Sequence, residues 1–299
     1  ELKARFDEAN NVQWARQLER AGVHVVYGMV GLKTHSKVAL VVRDDGDELR
    51  RYVHIGTGNY NAKTAKIYED LGVLTCSPDI GDDATQLFNH LTGYSRSEDY
   101  RNLLVAPRDL RRQLVDLIEH EASFGADGHI VLKCNSIADD ELIETLYAAS
   151  AEGTRIDMIV RGICCLRAGV PGLSETIRVR SVLGRYLEHS RIYRFAHGNV
   201  VHGERLPTAT SDAVFLIGSA DLMPRNLHRR VEVMVPIEHP RHTAALDQAL
   251  EFALADDVVG WELQPDDSWR RVGPTNAFEP HSQERMYRWT VAQQLAGRS

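Results

Sequence analysis

Apolar and polar positions alternate along this chain with two periods, one suited to helices and one to strands. Trp14 and Leu18 share a stripe within a helical spacing over 10–20, and Gly22 follows its end. The runs 23–27 and 37–42 read as buried strands. Asp44-Asp45-Gly46-Asp47, between Val42 and Leu49, is turn chemistry that makes 51–55 a partner strand. Residues 82–94 have helical spacing, and Pro107 lies close to a boundary near residue 102. Over 108–123 an amphipathic helix places Leu110, Leu114, Leu117, Ile118 and Ala122 on one face. A strand over 129–133, a helix over 139–151 and strands over 156–160, 191–195 and 213–218 follow, then a late helix over 240–255. Residues 265–280 are irregular and polar, with helical spacing from there to the end. Strands alternating with helices predict an α/β protein of two similar units, 1–102 and 103–299. Because Glu1 opens the chain in what reads as the middle of an element, the first unit is expected to be truncated at its start.

Composition narrows the function classes. The 299 residues accommodate one large or two medium domains, and 43% hydrophobic with 26% charged content is that of an ordinary globular protein. A net charge of −7 argues against a general nucleic-acid binder. Cys76, Cys134, Cys164 and Cys165 have neither zinc spacing nor a secreted framework, which points to reduced thiols. No signal peptide and no apolar run of roughly 18 residues is present. A cytoplasmic protein is expected, with no transmembrane segment and at most a peripheral attachment to membranes.

Two segments repeat one message. His35-Ser36-Lys37 opens a strand-like run, and a second strand ends in Ile55-Gly56-Thr57-Gly58-Asn59; His189-Ser190-Arg191 opens another, and its second strand ends in Ile217-Gly218-Ser219-Ala220-Asp221. Side-chain direction along a strand has period two, so Lys37 and Arg191 are expected beside their imidazoles. Imidazole attacks phosphorus and also donates protons near neutral pH, so two of them divide the work at a phosphoryl centre held by cations. The glycine-containing turns, with Asn59 in the first, add backbone N–H groups and hydroxyls close to an anion. The duplication predicts a two-fold site holding a phosphoryl group between His35 and His189. Asp70 and Glu232 are the acids expected to orient the two imidazoles, since a carboxylate on the second ring nitrogen fixes the tautomer.

These words carry a family resemblance. The half-sites resemble the histidine-lysine motifs of the phospholipase D superfamily. The whole resembles the carboxyl-terminal half of bacterial polyphosphate kinases, through Ala4-Arg5-Phe6-Asp7-Glu8, Gly31-Leu32-Lys33-Thr34-His35-Ser36-Lys37, Ala65-Lys66-Ile67-Tyr68-Glu69-Asp70, Val160-Arg161-Gly162 and Arg185-Tyr186-Leu187-Glu188-His189-Ser190-Arg191. It covers nearly all of 1–262. Val42 stands where the phospholipase motif has an Asp, and Arg191 where it has a Lys; both departures fit the kinase branch. The resemblance implies two phospholipase D-like α/β units with the active site at their interface, and transfer of the terminal phosphate of ATP to polyphosphate through a phosphohistidine. It implies His35 as the phosphorylated residue, His189 as the group that protonates or binds the leaving phosphate, and Tyr68 and Arg161 as nucleotide-phosphate contacts. Mg2+ is implied, with Arg5 at its site through its carbonyl or a shared phosphate, since a guanidinium has no lone pair to give a cation. ATP or ADP and polyphosphate are the implied partners, with a homo-oligomer for the full-length protein. Two other readings stay open: a phospholipase- or nuclease-type phosphodiesterase using the same histidines, and an inactive fragment with only an assembly role.

Overall fold

The first half builds little sheet of its own. In the computed structural model, which describes residues 8–46, 48–94, 99–197, 200–201, 204–205, 213–255, 257–273 and 281–296, it contributes α1 (Glu8–Arg20), β1 (Lys33–Thr34), β2 (Val38–Asp44), β3 (Leu49–Gly56), β4 (Tyr68–Glu69), β5 (Gly72–Thr75) and α2 (Pro78–Leu91). β2, β3 and β5 form an antiparallel three-stranded sheet. The second half runs β6 (Leu104–Ala106), α3 (Leu110–Ala122), β7 (His129–Cys134), α4 (Asp140–Ala151), β8 (Arg155–Val160), β9 (Ile177–Val182), β10 (Leu187–Glu188) and β11 (Ile192–Phe195). It continues with a short hairpin of β12 (Val200–Val201) and β13 (Glu204–Arg205), then β14 (Val214–Gly218), α5 (Pro224–Arg229), β15 (Arg230–Pro236), α6 (Pro240–Leu254), β16 (Gly260–Leu263), β17 (Trp269–Val272) and α7 (Ser282–Ala296). A ten-stranded mixed sheet takes the order β1-β15-β14-β11-β7-β8-β9-β16-β17, with β6 also on β15.

The protein is α/β, and its repeat shows in the pairing. In each half a histidine-x-cation segment is followed by three antiparallel strands, β2-β3-β5 in the first and β11-β14-β15 in the second. Two apolar clusters cover the faces of the large sheet. On one side Leu110, Leu114, Leu117 and Ile118 of α3 meet Leu132, Leu142, Leu146 and Met158; on the other, Val53, Ile55 and Leu87 of the first half meet Ile159, Phe215, Val233, Leu246 and Leu250. Each such fully buried Leu or Ile contributes about 1.5–3 kcal/mol relative to exposure, so the second cluster ties the halves together. Asp139 caps α4 by accepting the Leu142 N–H at 3.2 Å.

Several expectations are corrected. Residues 23–27 form no strand, and Val23 and Tyr27 are about half exposed. The corresponding strand of the second half, β8, lies between β7 and β9; no described strand flanks 23–27. The strand expected to be buried over 37–42 is β2, an edge strand that leaves Val41 and Val42 exposed. On α1, Trp14 and Leu18 face outward and Ala15 is the buried residue. The helix expected from 82 begins at Pro78, which sits in its first turn. Within the tail expected to be irregular, Trp269–Val272 pairs with β16 at the sheet edge; the partner, and not its own polar composition, makes it a strand. All four cysteines are free thiols. Among the described residues no helix is long and apolar enough to cross a membrane.

Candidate active site

Each histidine follows a two-residue strand laid parallel against the other half of the chain. β1 pairs with β15 as Lys33↔Arg230 and Thr34↔Val231, and β10 pairs with β4 as Leu187↔Tyr68 and Glu188↔Glu69. The next residue in each register is the histidine, and opposite it is an acid. The His35 N–H donates to the Val231 carbonyl at 2.9 Å and the His189 N–H to the Glu69 carbonyl at 3.2 Å. Consequently His35 Nδ1 lies 2.8 Å from Glu232 Oε2, and His189 Nδ1 lies 2.7 Å from Asp70 Oδ1. The two expected acids are both present, and each serves the imidazole of the opposite half.

The glycine-turn words support those acids in matching ways. Thr57 Oγ1 donates to Asp70 Oδ1 at 2.7 Å, and Ser219 Oγ donates to Glu232 Oε2. Asn226 Nδ2 donates to the other Glu232 oxygen at 2.6 Å. A Cβ on Gly58 would lie 2.4 Å from the Asp70 carboxylate, so glycine is what lets that acid approach. Because a carboxylate only accepts, both imidazoles carry their proton on Nδ1 and leave Nε2 for chemistry. Lys37 Nζ is 3.0 Å from His35 Nε2. Arg191 lies over the His189 ring, Nη1 to Nε2 3.4 Å, and is held by Asp221 at 2.9 and 3.2 Å and by the Thr57 carbonyl at 3.3 Å.

Burial and mutual charge shape the protonation of this cluster. Lys37 is 5% exposed, and burial pushes its ammonium down to about 7, with Arg191 and Arg230 pressing the same way against the pull of Glu232 and Asp221. Burial also holds His35 below the ordinary imidazole value, over the opposition of Glu232, and Lys37 and Arg230 add to the depression. His189 is lowered first by burial, then by Arg191 and Lys37, against Asp70. Lys37 thus acts electrostatically on both histidines, which brings the half-sites into one electrostatic field, and both imidazoles are held below their ordinary value.

Tyr68 stacks obliquely on His189, ring centroids 4.8 Å apart. Arg161, directly after β8, is half-buried and donates to Asn135 Oδ1 at 2.9 and 2.6 Å. Asp157, on the same strand, pairs with His129 at 2.9 Å and Arg155 at 2.8 Å. Asn59 is exposed and makes no hydrogen bond to either histidine among the described residues. Arg5 lies outside the described residues. Three contributors, Asn135, Ser219 and Asn226, were missed from sequence. Asn135, at the end of β7, binds Arg161, Asp221 and the His189 carbonyl. Arg230 occupies the register position equivalent to Tyr68, and Ser219 and Asn226 buttress Glu232. Only the doubled turn words hinted at Ser219; the others depend on tertiary pairing.

The family model described as polyphosphate kinase C-terminal domain 1 matches residues 1–97, and that described as polyphosphate kinase C-terminal domain 2 matches residues 103–283. A polyphosphate kinase of Synechocystis is 54% identical over 290 residues, covering 96% of this chain and 38% of its own length. One from Streptomyces coelicolor is 52% identical over 274 residues, covering 91% and 35%. The crystal structure of polyphosphate kinase from Porphyromonas gingivalis superposes with a TM-score of 0.85 at 33% identity, covering 99% of this chain and 44% of that one. The chain therefore spans well under half the length of these relatives.

Proposed function

Because this chain belongs to the polyphosphate kinase family, we propose that it is the carboxyl-terminal catalytic part of an enzyme that moves the terminal phosphate of ATP reversibly onto polyphosphate through a phosphohistidine. We take its two units as 1–102 and 103–299, a division that the separately matched stretches 1–97 and 103–283 support. The observation that carries this reading is the crossed pair of imidazole–carboxylate contacts beside Lys37 and Arg191.

In the proposed first step the His35 Nε2 lone pair attacks the γ-phosphorus, the bond from that phosphorus to the β–γ bridging oxygen breaks, and ADP leaves with the electron pair. The positive charge that develops on the ring faces Glu232. For attack, Lys37 swings its N–H from Nε2 to a phosphoryl oxygen. In the second step a terminal oxygen of polyphosphate attacks the phosphorus, and the N–P electrons return to the ring. It is in the first step that His189, protonated once phosphate oxygens offset the charge of Arg191 and Lys37, donates to the bridging oxygen that leaves with ADP. Tyr68 and Arg161 contact the nucleotide phosphates.

Magnesium accompanies nucleotide chemistry of this class, but the described residues offer no cluster of three or more His, Cys, Asp or Glu to hold it. The site carboxylates are committed: Glu232 and Asp70 to histidines, Asp221 to Arg191. The metal would arrive on phosphate oxygens. Acid-labile label from γ-labelled ATP, mapped to His35 in the full-length protein, tests the assignment; acid-stable label, or none while polyphosphate is made, would refute it.

Arg161 yields a graded prediction. A guanidinium holds two phosphate oxygens at once, which an ammonium cannot do. Arg161→Lys should lower kcat/KM for ATP by about ten- to a hundredfold, the loss of one charge-assisted hydrogen bond of roughly 1.5–3 kcal/mol. A lowered melting temperature with normal kinetics would instead make Arg161 structural.

Protonation gives another. With Lys37 at about 7 in the free site, a polyanion beside it raises that value, so the complex binds more protons than the free protein between the two values. Affinity for tripolyphosphate should be greatest below about pH 7 and fall as pH rises through the window above it. Calorimetry slightly above pH 7, in buffers of different ionisation enthalpy, should register a proton uptake that is missing in Lys37→Met, the titration of tripolyphosphate itself being common to both proteins; equal proton counts in the two would overturn the account.

A further inference from the structure

Helix α7 reaches the second half-site through one side chain. The Gln283 Oε1 accepts the Tyr186 N–H at 2.9 Å, and its Nε2 donates to the Tyr186 carbonyl at 2.8 Å and to Glu188 Oε1 at 2.7 Å. A side-chain amide thereby stands beside Tyr186 as a neighbouring strand would. Gly184 leaves the room, since a Cβ there would sit 2.4 Å from the Gln283 amide carbon.

The hydrogen bonding continues inward from Glu188. Its other oxygen is 2.8 Å from Lys133 Nζ, which also donates to Ser190 Oγ at 2.6 Å and Glu69 Oε2 at 3.0 Å. The side chains of Lys133 and Glu188 are each only 8% exposed. Burial works against the Lys133 charge, but Glu69 and Glu188 outweigh it and hold the ammonium above its ordinary value. These residues interleave with the proposed chemistry: Glu188 and Ser190 flank His189, and Glu69 separates Tyr68 from Asp70. A buried carboxylate needs donors on both oxygens, and Lys133 serves only one of them.

We infer that Gln283 is a positioning residue for His189, holding Glu188 and through it the β4–β10 pair that sets His189 against Asp70 and Tyr68. This rests on the proposed role of His189. Without the amide, Glu188 must turn toward another donor and draw Lys133 away from Ser190 and Glu69, which tilts both sides of the histidine's seat.

The test compares Gln283→Ala, Gln283→Glu and Arg285→Ala in the full-length protein. It reads kcat and KM for ATP, the melting temperature, and the His189 titration by histidine-selective NMR without substrate. Gln283→Ala should lower kcat by about tenfold, in the range expected for slight misplacement of a reacting group, with KM little changed and the His189 midpoint moved. Gln283→Glu should be worse at neutral pH and recover on acidification, as a proton relieves the repulsion between the introduced carboxylate and Glu188. Arg285, whose Nη1 is 2.8 Å from Asp257, pins the same helix elsewhere. Its replacement should lower the melting temperature and leave the His189 midpoint and the pH profile of kcat unmoved. Unchanged His189 midpoints and kcat in both Gln283 variants would overturn the inference. A moved midpoint in a parent protein that makes no polyphosphate would support the positioning and sink the proposed function instead.

Discussion

His35→Ala in the full-length protein is expected to abolish phosphoenzyme formation and turnover together, in both directions of the reaction. The loss removes the attacking nitrogen itself, so neither Lys37 nor His189 has a covalent intermediate left to stabilise. On the proposed mechanism, the surroundings favour His35 over His189 as the nucleophile. Its Nδ1 proton is engaged by Glu232, which accepts from Ser219 and Asn226, and its Nε2 faces the one lysine of the cluster. Burial and the neighbouring cations keep the ring neutral near pH 7, and a neutral ring has the lone pair that attack requires. The fold should survive, because the side chain is not part of either apolar cluster. Rapid-quench labelling with a parallel melt checks this. Persistent acid-labile label in a folded His35→Ala protein would move the nucleophile elsewhere.

Long periodic segments were legible in the sequence. The apolar face of α3, the strands β7, β8 and β14, and the α6 helix appear close to where spacing put them, because each satisfies its pattern locally and against one large core. The short strands were not. β1, β4 and β10 have two residues each, too few to show any period, yet they set the register that delivers both histidines. That is also why the acids were nameable but their crossed pairing was not. Asp70 and Glu232 stand out as acids within strand-like words, whereas which imidazole each meets follows from parallel pairing between distant segments. The 23–27 run failed for the opposite reason. Its apolar residues suit a strand, but a strand needs a neighbour, and none of the described residues supplies one. Asn135 was invisible because nothing in its local sequence separates a buried polar hub from a loop asparagine.

His189→Ala is expected to cut turnover by roughly 10²–10⁴-fold, the range for losing a general acid, while leaving measurable label on His35. On the proposed roles the asymmetry follows from what each imidazole supplies, His35 the attacking lone pair and His189 a proton for the departing oxygen. Attack by His35 Nε2 needs no proton from His189 if ADP leaves with its oxygen stabilised by the remaining cations, so the first step slows without vanishing. Arg191 remains in place after the substitution, because Asp221 and the Thr57 carbonyl hold it independently of the ring. Asp70 would lose its imidazole but keep the Thr57 hydroxyl, and its side chain is partly open to solvent, which limits the folding penalty. In the free protein His189 lies below the ordinary imidazole value, so its acid form depends on phosphate being bound. The residual activity of His189→Ala should therefore lose the alkaline limb that this proton imposes on the parent's kcat profile. Single-turnover labelling, steady-state kcat and pH profiles on one protein preparation decide the matter. Label lost as completely as in His35→Ala would assign His189 to attack, and an unaltered alkaline limb would assign the proton to another group.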